Sequence, residues 1–160
     1  MAQVHVTTRA GAPEQTAADT RVTGLFEGES LADPRLQALV DLGEAKPGLK
    51  KVAVAHEDAP GGGQRRVLIA GLGKRADFGP ESARVAAAAA AARAKELGAV
   101  SLSWAAPDAE VAGALVEGTL LKLYGFTRFK SGNDANGSLE SLEIAGAGVD
   151  TGVVDAARVA

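Results

Sequence analysis

The chain alternates between short apolar runs and longer amphipathic stretches. Gln3–Thr8 sets Val4 and Val6 between polar neighbours, a half-buried strand. Arg21–Phe26 is a second strand, its alternation interrupted by Gly24. Asp33-Pro34 then opens a helix, because Asp caps and Pro fits the first turn. Leu36, Leu39, Val40 and Leu42 give that helix its stripe, and Gly43 stops it. Lys51–His56 and Arg66–Gly71 are strands joined through Pro60-Gly61-Gly62-Gly63, a connection that makes them antiparallel neighbours.

The apolar run Val67-Leu68-Ile69-Ala70 ends in Gly71-Leu72-Gly73 and leads, past a charged turn, into an alanine-rich helix from Pro80 to Leu97. Its charges (Glu81, Arg84, Arg93, Lys95, Glu96) occupy one half of the circumference. Ala83, Ala86, Ala87, Ala90, Ala94 and Leu97 form the opposite stripe. So smooth a stripe lets the helix lie close to its neighbours, either on the domain's own sheet or in a seam between subunits. Gly98 ends the helix. Val100–Trp104 is a fifth strand, Ala109–Tyr124 a helix apolar on more than one face, and Leu139–Ala145 a last strand. Val153–Ala160 begins a further helical pattern. The order β-β-α-β-β-α-β-α-β predicts an α/β fold, a mixed sheet with helices on both faces and Arg66–Gly71 as a central strand.

Composition narrows the function classes. The 160 residues suit one domain, and with four Phe, one Trp and one Tyr the core must be aliphatic and closely spaced. A net charge of -3 disfavours sequence-independent nucleic-acid binding, which needs a dense excess of Lys and Arg. The basic pairs Lys50-Lys51, Arg65-Arg66 and Lys74-Arg75 read as solvated surface. Without cysteine there is neither a disulfide nor a thiolate metal site. No N-terminal segment has the character of a signal peptide, and no run approaches the ~20 apolar residues of a membrane span, so the expected compartment is cytoplasmic.

Candidate chemistry is sparse. His5 and His56 lie far apart without metal-ligand spacing. No serine sits in a nucleophile elbow. Gly71, Gly73 and Lys74 are the weak anion-binding candidates: a glycine turn after a strand offers backbone N–H groups to a phosphate. The turn lacks both P-loop spacing and the third glycine of a dinucleotide fingerprint, and it is detached from the helix that follows. Asn133–Gly137 has the polarity of a calcium loop but not its alternating acids.

Three segments together resemble a known family: VTGLFEGESL (Val22–Leu31), RVLIAGLGKRADF (Arg66–Phe78) and EGTLLKLYGFTRFKS (Glu117–Ser131). Their order and spacing are similar to the N-terminal domain of the leucyl aminopeptidase (M17) family over nearly the whole chain. The resemblance implies a macro-domain-like three-layer α/β/α fold, with a mixed, mainly parallel sheet of about six strands. It places this domain at 1–150, and the start of a linker helix to a C-terminal catalytic domain at 151–160. It also implies that this chain holds no catalytic or metal residue and no cofactor. In the family, two divalent metals (zinc, manganese or magnesium) sit in the C-terminal domain, where a metal-activated hydroxide attacks the first peptide bond. The implied partners are that catalytic domain and the other subunits of a homo-hexamer; the implied domain role is assembly or substrate access. The family's metal-binding signature is only superficially echoed at Asn133–Leu139, which lacks its Glu and Arg. The alternative is a stand-alone macro-like module that binds a nucleotide or another anion at Gly71–Lys74.

Overall fold

The computed structural model describes residues 4–128 and 139–149. Nine regular elements follow the expected order: β1 (His5–Arg9), β2 (Thr20–Phe26), α1 (Pro34–Asp41), β3 (Val52–Asp58), β4 (Gln64–Gly73), α2 (Pro80–Glu96), β5 (Ser101–Ala105), α3 (Ala112–Arg128) and β6 (Ser141–Ala145). The six strands form one mixed sheet in the order β1-β6-β5-β2-β4-β3. Only β3 and β4 pair antiparallel, as the glycine-rich connection requires; the other pairings are parallel. The centre belongs to β5 and β2, and β4 lies one strand in from the edge. β4 is nonetheless buried on both faces, which is why its sequence runs apolar without alternation.

Each strand sends alternate residues to the two faces. Val22, Leu68, Ala70, Leu72, Leu102, Trp104, Leu142 and Ile144 meet α2 and α3 in the larger core. Leu25, Val67 and Ile69 meet Leu36 of α1 in a smaller one. Helices therefore cover both faces, but α1 spans only eight residues and shields the β2–β4–β3 side. The corresponding face of β5, β6 and β1 carries Ser101, Ser103, Ser141, Glu143, His5, Thr7 and Arg9. There Glu143 accepts from the Ser103 hydroxyl at 2.9 Å and from Arg9 Nε at 3.4 Å.

The alanine stripe of α2 is spent inside the domain. Ala83, Ala86, Ala87, Ala90 and Ala94 are all buried against α3 and the sheet. The two helices approach so closely that a Cβ on Gly118 of α3 would lie 2.4 Å from the Arg84 carbonyl oxygen of α2. The seam predicted from the stripe is thus between helices of one chain. Three further differences are local. Leu42 is the C-terminal cap of α1 and is 73% exposed, because the helix ends before its side chain can turn to the core. The last helix begins with a 3₁₀ turn at Ala109–Val111, capped by Asp108, and its α-helical part runs on to Arg128. Gly71 and Gly73 belong to β4 itself rather than to a turn beyond it. The expected helical start at Val153–Ala160 and the Asn133–Gly137 loop lie outside the described residues.

Candidate functional site

The sequence candidates are engaged in building the fold. Gly71 N–H donates to the Lys51 carbonyl at 2.8 Å, and Gly73 N–H to the Pro47 carbonyl at 2.7 Å. A Cβ on Gly71 would stand 2.0 Å from the Gly48 oxygen, so this glycine is required by the close passage of the 47–48 backbone. Gly73 has φ +78°, the left-handed conformation that ends the strand. Lys74 is exposed beside it. The two histidines sit on β1 and β3, the opposite edges of the sheet, and cannot share a ligand. Among the described residues no three His, Cys, Asp or Glu side chains converge on a metal position.

The most concentrated chemistry lies where sequence reading placed solvated charge. Arg65 is 5% exposed and belongs to a buried cluster with Glu57 and Arg21. Alternation explains the arrangement: Arg65 faces Glu57 directly across the β3–β4 hairpin, on the side that also carries Val67 and Ile69. Arg21 reaches the same carboxylate from β2. Glu57 Oε2 accepts from Arg21 Nε and Arg65 Nε, both at 2.7 Å, and Oε1 accepts from Arg21 Nη2 at 2.8 Å. Arg65 also donates to the main-chain oxygens of Thr16 and Glu14, both at 2.5 Å, which ties the 3₁₀ turn at Pro13–Gln15 to the sheet. The Arg21 bonds, aided by Arg65, hold the Glu57 carboxyl below its ordinary range against the opposing effect of burial. Glu57 in turn raises the Arg21 guanidinium further above its ordinary value. The cluster carries one net positive charge beneath the surface.

Arg66, the neighbour on the opposite side of β4, is also bound. It donates to Thr20 Oγ1 at 3.0 Å and to the Leu97 carbonyl at 2.8 Å, and it pairs with Asp19. Asp19 accepts from the Val100 and Ser101 amides, joining the start of β2 to the start of β5. At the other end of the strands, Arg75 makes a bidentate pair with Glu29 at 2.6 and 2.8 Å and lies 4.0 Å over the Phe26 ring. Glu29 is held below the usual carboxylate range by these bonds. Of the three basic pairs, then, two contribute structural arginines.

The sheet also parts. β2 pairs with β5 only over Thr20–Val22, although β2 runs on to Phe26. This is the point where the chain, having built β3 and β4 on one side of β2, crosses to its other side with β5. In open α/β sheets ligand crevices form at such reversals, outside the carboxyl ends of the strands. Here a cleft of about 540 Å³ opens beside Arg21, Thr23, Ala105 and Leu36. A smaller one of about 180 Å³ shares Thr23, Leu31 and Ala105 with it and is bounded by the Glu29–Arg75 pair.

Residues 12–133 match the family model for the cytosol aminopeptidase family, N-terminal domain. The chain belongs to this family. It is 38% identical over 136 residues to a probable cytosol aminopeptidase of Roseiflexus castenholzii, covering 80% of this chain and 27% of that protein. Over 93 residues it is 42% identical to the probable cytosol aminopeptidase of Microcystis aeruginosa, covering 55% and 19%. Among solved structures, a tomato leucine aminopeptidase mutant shares the fold, with a TM-score of 0.67 at 23% identity over 98% of this chain and 36% of that one. The bottromycin maturation enzyme BotP matches with a TM-score of 0.56 at 29% identity, over 79% and 27%. The chain thus spans about a quarter of the length of the first curated relatives, and it corresponds to their N-terminal domain.

Proposed function

We propose that this chain is the non-catalytic N-terminal domain of a leucyl-aminopeptidase-like metallopeptidase. As a whole that protein would release N-terminal residues from peptides, in the cytoplasm and as a hexamer. The observation that carries the reading is the match of residues 12–133 to the family's N-terminal domain, in a chain that covers only 27% of the Roseiflexus relative. A structure of the neighbouring BotP enzyme is described as a complex with Mn, which supports a metal-dependent whole protein. The metals, whether zinc, manganese or magnesium, would be held by a catalytic domain following the linker that begins near residue 151. The contribution of this domain would be assembly or control of substrate access, exerted by a rigid sheet and a helix layer rather than by reacting groups. The test is direct: the purified chain is incubated with Mn²⁺ and leucine p-nitroanilide. No release of nitroaniline is expected, whereas turnover by the pure chain overturns the assignment.

A second reading, a macro-like module that holds a nucleotide or another anion at Gly71–Lys74, is supported by the exposed Lys74 at the end of β4. Calorimetry with ADP-ribose addresses it; no heat at about 1 mM ligand, a concentration that detects even weak sites, removes it.

A further inference from the structure

The larger cleft at the parting of β2 and β5 has the makings of a ligand site. Its floor is the Arg21 guanidinium, in a residue only 8% exposed. Glu57 takes Arg21 Nε and Nη2, while Nη1 makes no hydrogen bond among the described residues. Thr23 follows two positions along β2 on the same face, and its hydroxyl is likewise unused among the described residues. Arg21, Arg65 and Glu57 together leave a charge of +1 at the floor. The rim carries the opposite sign, with Glu14 on the 3₁₀ turn and Asp33 at the start of α1, where Asp33 Oδ1 accepts the Arg35 amide as helix cap and lies 3.8 Å from Arg35 Nε, leaving Oδ2 for a ligand. Both carboxylates act electrostatically on Arg21. Leu31, Leu36 and Ala105 supply apolar wall. The volume, about 540 Å³, lies within the range of small-molecule sites.

A simple anion would find its guanidinium here but would pass two carboxylates to reach it. A simple cation would meet the positive floor. A ligand with separated charges satisfies both ends. We propose that this cleft binds a small zwitterion of the α-amino acid or dipeptide class, its carboxylate on Arg21 Nη1 and the Thr23 hydroxyl and its ammonium toward Glu14 and Asp33. The proposal needs no peptidase activity in the chain and is independent of that assignment.

The experiment is a ¹H–¹⁵N NMR titration of the 160-residue chain with L-leucine to about 10 mM, a range suited to millimolar dissociation constants. The amides of Thr23, Leu31 and Ala105 are expected to shift and saturate. Leucinamide, without the carboxylate, and N-acetyl-leucine, without the ammonium, are expected to bind at least about tenfold more weakly, since each removes one charge-assisted contact. Thr23→Val, which keeps the side-chain shape, should weaken leucine about fivefold by removing one hydrogen bond. Ala105→Leu should abolish binding by filling the cleft. The sole tryptophan, Trp104 on β5, reports by its fluorescence that each variant is folded. Absence of leucine-induced shifts overturns the proposal. So does equal binding of N-acetyl-leucine or inorganic phosphate, and so does undiminished binding by both variants.

Discussion

Glu57 is the residue on which the local electrostatics turn. Its carboxylate receives three N–H bonds from two arginines, all three side chains nine-tenths or more out of water. Removing its charge leaves two buried guanidinium groups facing one another. Glu57→Gln should therefore destabilise the domain by about 3–5 kcal/mol, measured by urea denaturation followed at Trp104. The acid response has a definite sign. The folded carboxyl titrates below its unfolded value of about 4.5, so its contribution is full above that pH and is lost as pH falls through the folded value. Urea midpoints of the parent chain should thus decline from pH 6 to pH 3 more steeply than those of Glu57→Gln. Equal slopes would show that Glu57 is not the linked group. Arg65 escaped sequence reading because Arg65-Arg66 has the form of an ordinary surface pair. The available signal was the hairpin: Glu57 and Arg65 lie symmetrically about the glycine-rich turn, on the apolar parity of both strands.

Among the elements, the helix pair and the β4 edge depend on missing side chains. Alanine normally improves on glycine inside a helix by about 1 kcal/mol. Gly118→Ala should reverse that sign, because the added Cβ meets the Arg84 carbonyl at 2.4 Å and the Ala87 Cβ at 3.0 Å. A loss of about 1–3 kcal/mol is expected as α2 and α3 are pushed apart. A gain in thermal stability would show that the helices are not so closely apposed. On the sheet, Gly24 and Gly71 make an internal comparison. A Cβ on Gly24 meets only the Leu72 side chain, at 2.3 Å, which can rotate away; a Cβ on Gly71 meets the Gly48 backbone. Gly71→Ala should accordingly cost about 3 kcal/mol and Gly24→Ala about 1 kcal/mol, by denaturant titration of the two variants. The alanine stripe announced a close helix contact, but its partner, Gly118, lies outside the stripe's own helix. No local pattern distinguishes a seam within the chain from one between subunits.

For the whole molecule, the division of faces is the informative feature. One side of the sheet is closed by α2 and α3, while on the other, among the described residues, α1 shields the β2–β4–β3 part. The same face of β5, β6 and β1 is polar, with Glu143 bonded to Ser103 and Arg9. If the domain serves assembly, deleting residues 1–150 from the full-length family protein should change its oligomeric state in sedimentation while the remaining part keeps its own metals. An unchanged oligomeric state would assign assembly to the rest of that protein instead.

Local physical chemistry was enough to settle the element order, the antiparallel hairpin, the aliphatic core and the cap at Asp33, because each depends on residues within a few positions of one another. The three-segment resemblance was likewise readable along the chain, and the family match bears it out. Tertiary structure alone decided that the Gly71 and Gly73 amides are consumed by the 47–51 backbone, that Arg21, Glu57 and Arg65 share one buried site, and that β2 and β5 part to open a cleft. These are contacts between segments far apart in the chain. Which partner a glycine, an arginine or a strand edge meets depends on how the sheet is ordered, and hydrophobic periodicity carries no record of that order.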